Sequence, residues 1–414
     1  MLDDKNPKLQ TLRILQILPS LVSGGVERGT VDLSSYLVAK GHEVWVCSSG
    51  GPMVSALEQS GARHILLPVN SKNPFIVWLN SRRLIRLQKQ YHFDLIHVRS
   101  RAPAWSVLWA RKQLNIPLFS SFHGQYGHNG KLKRFYNAVM LKTDVCIAVS
   151  DFIKAHIQIC YPDYRCTLKL IRRGIDLNMF TYNETLNENM SRLKGQWQIR
   201  DKQTLIILPG RLTRLKGHLV FLEAIARLTG DHSLGLSPDN LRCLIVGDEP
   251  GKDEYRKQLQ AYINTHQLGD FVAFTGNCYD MPAMYALADI VISASTKPEA
   301  FGRTACEAQA MNCLVVATEH GGSLETIAPV QRQFMCKQGS SESMAEAIQR
   351  ALEMLQPENK ARLEMISLEA KNYIHENFSL GRMCRETEQL YLTRLRPQTG
   401  LSSANTEDSE ERTQ

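Results

Sequence analysis

The sequence predicts an α/β protein of two parallel-sheet domains facing a central cleft, and three observations lead there. Short apolar runs alternate with segments of helical periodicity, the alternation breaks once at a polar, Asn-rich stretch, and it then starts again. In the first unit, strands are expected in LRILQILP, HEVWVCSS, RHILLPV, DLIHVRS, PLFSSFH, VCIAVS and LKLIRRG. Between the first two, Val26, Leu33 and Leu37 share one face of a predicted helix over 26–40. Apolar strands separated by helices call for a sheet covered on both sides, which is the environment of parallel strands.

TYNETLNENMSRLKGQWQIRD, 181–201, interrupts the rhythm and reads as a linker between a domain of residues 1–180 and a second unit. The strands then resume in QTLIILPGRL, RCLIVGD, FVAFTG, ADIVISAS, LVVAT and RQFMCK, giving a second domain over 202–378. From 341 to about 396 the pattern is helical, and the polar, acidic tail 397–414 is expected to be disordered. Two such sheets in tandem place a cleft between the carboxyl ends of their strands, where open α/β domains bind ligands.

Composition narrows the function classes. The chain has 414 residues, 43% hydrophobic and 22% charged, and none of its apolar runs reaches the roughly 20 residues that span a bilayer. MLDDKNPKLQ lacks the basic-then-apolar form of a signal peptide, so the cytoplasm is the expected compartment. The ten cysteines form no CxxC pair and no Cys/His cluster at zinc spacing, and they read as reduced thiols. The net charge of +8 is uneven: residues 1–196 carry 26 Lys+Arg against 13 Asp+Glu, hence +13, and the remainder 23 against 28, hence −5. A basic half suits an anionic membrane, a nucleic acid or a phosphorylated substrate, and equally a merely soluble face. No nucleic-acid-binding motif accompanies it, so no nucleic-acid partner is expected.

The candidate site residues lie where strands end. Gly24 and Gly25 follow the first strand; they read either as a tight turn or as a place where backbone N–H groups approach an anion at a helix N-terminus. His123 closes PLFSSFH and reads either as a structural histidine or as a donor to a ligand hydroxyl. In LPGRLTRLKGH, Arg211 and Lys216 place two cations at a strand end beside a helix start, a pairing suited to a diphosphate. Pro298 must end the strand ADIVISAS near Lys297, which leaves Glu299 in a loop. Phe301 and Gly302 make the turn, Arg303 and Thr304 open a helix, and Glu307 lies one to two turns into it. Singly, Glu299 and Glu307 read as solvated acids; together they flank a helix N-terminus that can face a phosphate.

The set of GRLTRLKG, LIVGDEP, FTG, ADIVISAS, PEAFGRTACEAQAM and VVATEHGGSLET, after a glycine pair and in that order, resembles family 4 of the nucleotide-sugar glycosyltransferases. The resemblance spans nearly the whole chain, and the E-x7-E element at Glu299 and Glu307 is its most diagnostic part. It implies the GT-B fold of two Rossmann-like domains, with the segment 379–396 returning as a helix to the first. It implies a retaining, metal-independent enzyme without a cofactor, using a nucleoside-diphosphate sugar, here a UDP or GDP sugar. Glu307 matches the acid on the donor ribose, Glu299 the acid near the transferred sugar, and Arg211 and Lys216 the cations on the diphosphate. Gly24 or Gly25 would approach that diphosphate from the other domain, while Phe301, Gly302, Arg303 and Thr304 complete the donor set and His123 matches the histidine beside the reacting carbon.

The spelling EAFGRTACEAQAM resembles members that build lipopolysaccharide core or other bacterial surface glycans, which implies a glycan or lipid-linked acceptor. In NPFIVWLNSRRLIRLQKQY, Phe75, Ile76, Trp78 and Leu79 join Arg82, Arg83, Arg86 and Lys89. That helix reads either as a sheet cover with a wet basic side or as a peripheral contact with an anionic inner leaflet. Alternatives are a nucleotide-sugar epimerase of the same fold and a non-enzymatic nucleic-acid or membrane binding protein. The chain departs from the family pattern at Arg173, where Asn is usual, and at Asn312 and Leu314, where Gly and Pro are common.

Overall fold

The computed structural model describes residues 11–395 except 23, 128–129, 249–250 and 252. The tail 397–414, expected to be disordered, lies outside the described residues. Seven strands form the first sheet: β1 (Arg13–Ile17), β2 (Glu43–Ser48), β3 (Arg63–Leu66), β4 (Leu95–Val98), β5 (Leu118–Phe122), β6 (Val145–Ala148) and β7 (Thr167–Leu170). Six form the second: β8 (Thr204–Pro209), β9 (Leu241–Val246), β10 (Val272–Gly276), β11 (Ile290–Ser293), β12 (Leu314–Thr318) and β13 (Met335–Cys336). Their orders are β3-β2-β1-β4-β5-β6-β7 and β10-β9-β8-β11-β12-β13, with every pairing parallel.

Both orders reverse beside the first strand of their sheet, between β1 and β4 and between β8 and β11. In doubly wound sheets that reversal opens a crevice at the carboxyl ends of the strands. Each sheet is buried on both faces. Leu15, Ile17, Ile96 and Val98 pack on one face of the first while Ile14, Val44, Val46 and Leu95 pack on the other. Two further clusters do the same for the second sheet. All ten cysteines are free thiols, eight of them buried.

Three segments differ from the sequence reading, each for a local reason. The stretch 181–201, expected as a linker, is largely the helix Glu184–Gln196, started by the Asn183 side chain accepting from Leu186 N at 2.8 Å. Its Leu186 and Leu193 are buried in the second lobe, so the polar composition marks one wet face of a packed helix. RQFMCK is strand only at Met335–Cys336, because a 3₁₀ helix, Pro329–Phe334, occupies the residues before it. Asn312 takes a left-handed conformation, φ 65°, doing at that turn what Gly commonly does.

The lobes are joined twice at one place. Ile175 pairs with Ser379 in a parallel bridge, with Ile175 N donating to Phe378 O at 2.9 Å and Leu380 N to Ile175 O at 2.8 Å. A Cβ on Gly174 would lie 2.4 Å from Ser379 O, so only glycine admits this crossing. Beyond it the helix Leu380–Leu395 packs on the first lobe, where Met383, Cys384 and Tyr391 join the cluster of Ile14, Leu33 and Phe119.

Candidate donor site between the lobes

The loops after β8 and β11 are laced together. Thr296 N donates to Leu215 O at 2.8 Å and its hydroxyl to Arg214 O at 3.1 Å. Gly217, at φ 72°, sits against this junction; a Cβ there would meet Ala294 O at 1.9 Å, so any other residue would push the loops apart. The lacing brings Lys216 Nζ to 2.6 Å from Glu299 Oε1, which also accepts from the Ser295 hydroxyl. Burial opposes ionisation of Glu299, yet Lys216, Ser295 and His320 outweigh it and hold the carboxyl below its ordinary value. Arg211, on the same loop, is exposed at the rim.

Glu299 lies in a loop after the strand, and the helix Arg303–Ala310 follows with Gly302 at its N-cap. The first N–H groups of that helix have no intrahelical acceptor. Glu307 is buried, 9% exposed, rather than a solvated helical acid: Arg303 Nε donates to its Oε1 at 2.5 Å and the Tyr285 hydroxyl to its Oε2 at 3.0 Å. The ring of Phe301 turns away from the cleft, packing edge-on to Phe378 at 5.6 Å, so this expected donor residue has its side chain in the core. Gly302 is buried, whereas Arg303 and Thr304 are partly exposed at the head of the helix.

Across the cleft, Gly24 and Gly25 open the helix Gly25–Ala39, with Arg28 N donating to Gly24 O at 3.0 Å. Arg303 is within electrostatic reach of Asp32 on that helix and of Arg173, which sets the two helix N-termini against each other. His123 follows β5, and both its ring nitrogens are buried without a hydrogen-bond partner among the described residues. Burial first, then Arg99 and Arg173, push its pKa well below the usual histidine value, so the ring is neutral at pH 7. The structure therefore brings Arg211, Lys216, Glu299, Arg303, Thr304 and Glu307 to one rim and sets Gly24, Gly25 and His123 on the facing one.

Several neighbours were not read from the sequence. Ser295 and His320 hold Glu299 in place, His320 through a hydrogen bond with Ser295 O at 2.7 Å, and Tyr285 holds Glu307. Glu325 reaches across the cleft, accepting from Asp151 N at 2.8 Å and Phe152 N at 2.6 Å at the start of the helix Asp151–Cys160. Among the described residues there is no group of three His, Cys, Asp or Glu placed to hold a metal ion.

Comparison with known proteins fits this geometry. Residues 23–179 match the family described as Glycosyltransferase Family 4, and residues 189–367 match Glycosyl transferases group 1. A glycosyltransferase crystal structure from Rickettsia africae is 34% identical and superposes with a TM-score of 0.84, covering 94% of this chain and all of that one. Anabaena HepE, solved in complex with UDP and glucose, is 21% identical with a TM-score of 0.77 over 92% of this chain and 100% of its own. Spore coat protein SA of Bacillus subtilis is 24% identical over 74% of this chain and 79% of its own length. With both lobes matched and the Rickettsia enzyme aligned from end to end, the chain belongs to the family 4 glycosyltransferases of GT-B architecture.

Proposed function

We propose that this glycosyltransferase is retaining and metal-independent, and moves a sugar from a UDP or GDP sugar to a glycan or lipid-linked glycan acceptor. Its setting would be lipopolysaccharide or other bacterial surface polysaccharide synthesis, on the cytoplasmic face of the membrane. The observation that carries the reading is the Lys216–Glu299 pair at the β8/β11 crevice, beside the N-terminus of the helix Arg303–Ala310. The UDP and glucose complex of the Anabaena neighbour supports a nucleotide-sugar donor.

In this reading the bond from sugar C1 to the β-phosphate oxygen breaks and negative charge gathers on the leaving diphosphate. Lys216, Arg211 and the helix N–H groups meet that charge, stabilising the transition state more than the ground state. Glu299 keeps Lys216 aimed and accepts from the sugar hydroxyls. Glu307 accepts from the ribose hydroxyls, since a carboxylate bound by Arg303 and Tyr285 keeps further lone pairs free. Both acids are committed to cations, so neither is placed as a free nucleophile. That favours front-face attack by the acceptor hydroxyl, with its proton passing to a phosphate oxygen as the bond to C1 forms. His123, neutral, contacts the sugar beside C1.

The membrane side of the reading is supported by the helix Pro74–Tyr91. Phe75 and Trp78, stacked with centroids 5.9 Å apart, and Arg82, Arg86 and Lys89 are all exposed, at spacings of three and four that place them on one stripe. No described helix is long and apolar enough to cross a membrane. Neutralising Arg82, Arg86 and Lys89 should abolish salt-sensitive binding to anionic vesicles, and unchanged binding would refute the stripe as the contact.

The donor assignment is tested by melting the protein with UDP, GDP and ADP sugars in parallel, then assaying transfer to a lipid-linked glycan and reading the anomer by NMR. Stabilisation by a UDP or GDP sugar with a retained anomer is expected. An altered free sugar formed without acceptor would establish the epimerase instead, and no response to any nucleotide sugar would end the proposal.

A further inference from the structure

The N-terminal wall of the cleft holds two cations, Arg99 and Arg173, that the donor site just described does not use. Arg99 follows β4, His123 follows β5, and Arg173 lies on the chain leaving β7, so all three stand at carboxyl ends of strands of the first sheet. Arg99 is 4% exposed; its Nη1 donates to Gln16 Oε1 at 3.0 Å, and its Nε is buried with no partner among the described residues. Arg173 Nη2 donates to Gly25 O. Both acceptors are neutral. Among the described residues neither guanidinium makes an ion pair: Glu27 and Asp32, on the helix Gly25–Ala39, are within electrostatic reach of both, and Asp32 is already held by Arg28 at 2.9 Å.

Space has been kept for these groups. A Cβ on Gly25 would lie 3.1 Å from Arg173 Nη1, and one on Gly29 would lie 3.2 Å from Arg173 Nη2 and 3.7 Å from Arg99 Nη2. Arg99, His123 and Arg173 also line a partly open pocket with about 20 Å³ of free space, enough to admit a single oxygen of a bound group. Burial together with Arg303 and Arg99 lowers Arg173 to about 9, which leaves it protonated at neutral pH. Cations packed beside one another, with donors unspent and no carboxylate paired to them, are costly unless an anion joins them.

We propose that Arg99 and Arg173, with the neighbouring His123, form an anion-binding subsite on the N-terminal wall of the cleft that takes a phosphate or carboxylate group. The proposal rests on the glycosyl-transfer reading only for the source of that anion, which is either the donor diphosphate or an acidic group on the acceptor. The subsite lies at the head of the helix Gly25–Ala39, whose first N–H groups add to the same attraction.

The test titrates inorganic orthophosphate into the whole chain, with binding read from phosphorus line broadening and from the His123 imidazole resonances. The wild type should saturate and shift His123. Arg173→Gln should weaken the binding read at His123 at least tenfold, while Arg173→Lys should retain part of it. Adding UDP then identifies the source: displacement of orthophosphate assigns the subsite to the donor diphosphate, and simultaneous binding assigns it to an acidic acceptor. Unchanged binding by Arg173→Gln, or a wild-type His123 signal indifferent to orthophosphate, would overturn the proposal. Should the protein bind orthophosphate through Arg173 yet ignore every nucleotide sugar, the subsite stands and the glycosyl-transfer reading falls.

Discussion

The two lobes share a strand order around β1 and β8 but treat their rims differently. On the second lobe two cations near the crevice each have an acid of their own, Lys216 with Glu299 and Arg303 with Glu307. On the first, Arg99 and Arg173 bond, among the described residues, to an amide oxygen and a carbonyl. One topology thus supports a rim that is prearranged and internally balanced and another that remains electrically open. The +13 and −5 division along the sequence shows the same contrast at low resolution.

The sharpest way to break the comparison is to unbalance the second rim. Lys216→Met removes a cation from the leaving diphosphate and strands Glu299, so turnover should fall by about 10²–10³-fold. Steady-state kinetics with the identified donor would show it, and an unchanged kcat would place the charge stabilisation elsewhere. Glu307→Ala should act on binding: losing charge-assisted bonds to the ribose, about 1.5–3 kcal/mol, raises the donor KM roughly 10- to 150-fold. A wild-type KM would leave Glu307 as a partner for Arg303 and Tyr285 alone.

Glu325 is the acid that the second lobe lends to the first. Glu325→Ala deletes both bonds to the helix Asp151–Cys160 and should loosen the lobes, seen as faster hydrogen exchange at Asp151 and Phe152 and a larger radius in X-ray scattering. Unaltered exchange would mean the helix start is held without it. The smallest effect is on pH dependence. Because Glu299 titrates below its ordinary 4.5, its pairing with Lys216 stabilises the fold fully above about that pH and is lost as pH falls through the lower folded value. The melting difference between wild type and Glu299→Gln should therefore hold from pH 7 to 5 and shrink on acidification from about pH 4.5 downward; a difference that stays constant to the acid limit of folding would show that the ion pair adds nothing.

The sheets were legible because buried parallel strands are apolar runs bounded by glycine, proline and charge, as in LVVAT or ADIVISAS. Pro298 and Gly302 marked the turn that separates Glu299 from Glu307. Burial of Glu307 was not legible, since Tyr285 meets it from 22 residues away. Ser295, His320 and Glu325 carry no local signal either; their roles come from loops meeting across the fold. Helix Glu184–Gln196 did leave a trace, Leu186, Met190, Leu193 and Trp197 at spacings of four, three and four, hidden beneath polar composition. Arg173 stood out only as a departure from the family spelling, and its significance depends on Gly25, Gly29 and Arg99 coming beside it.

The return of the helix Leu380–Leu395 to the first lobe bears on the order of events during synthesis. Tyr391 is fully buried there, against Phe119 at 5.0 Å and sharing a hydrogen bond with His97 at 2.5 Å. The second lobe has all its core residues once Phe378 has emerged from the ribosome, whereas the first must wait for Tyr391. The lobe translated first is the last whose core can close, so its basic surface spends most of the chain's elongation on an unfinished domain.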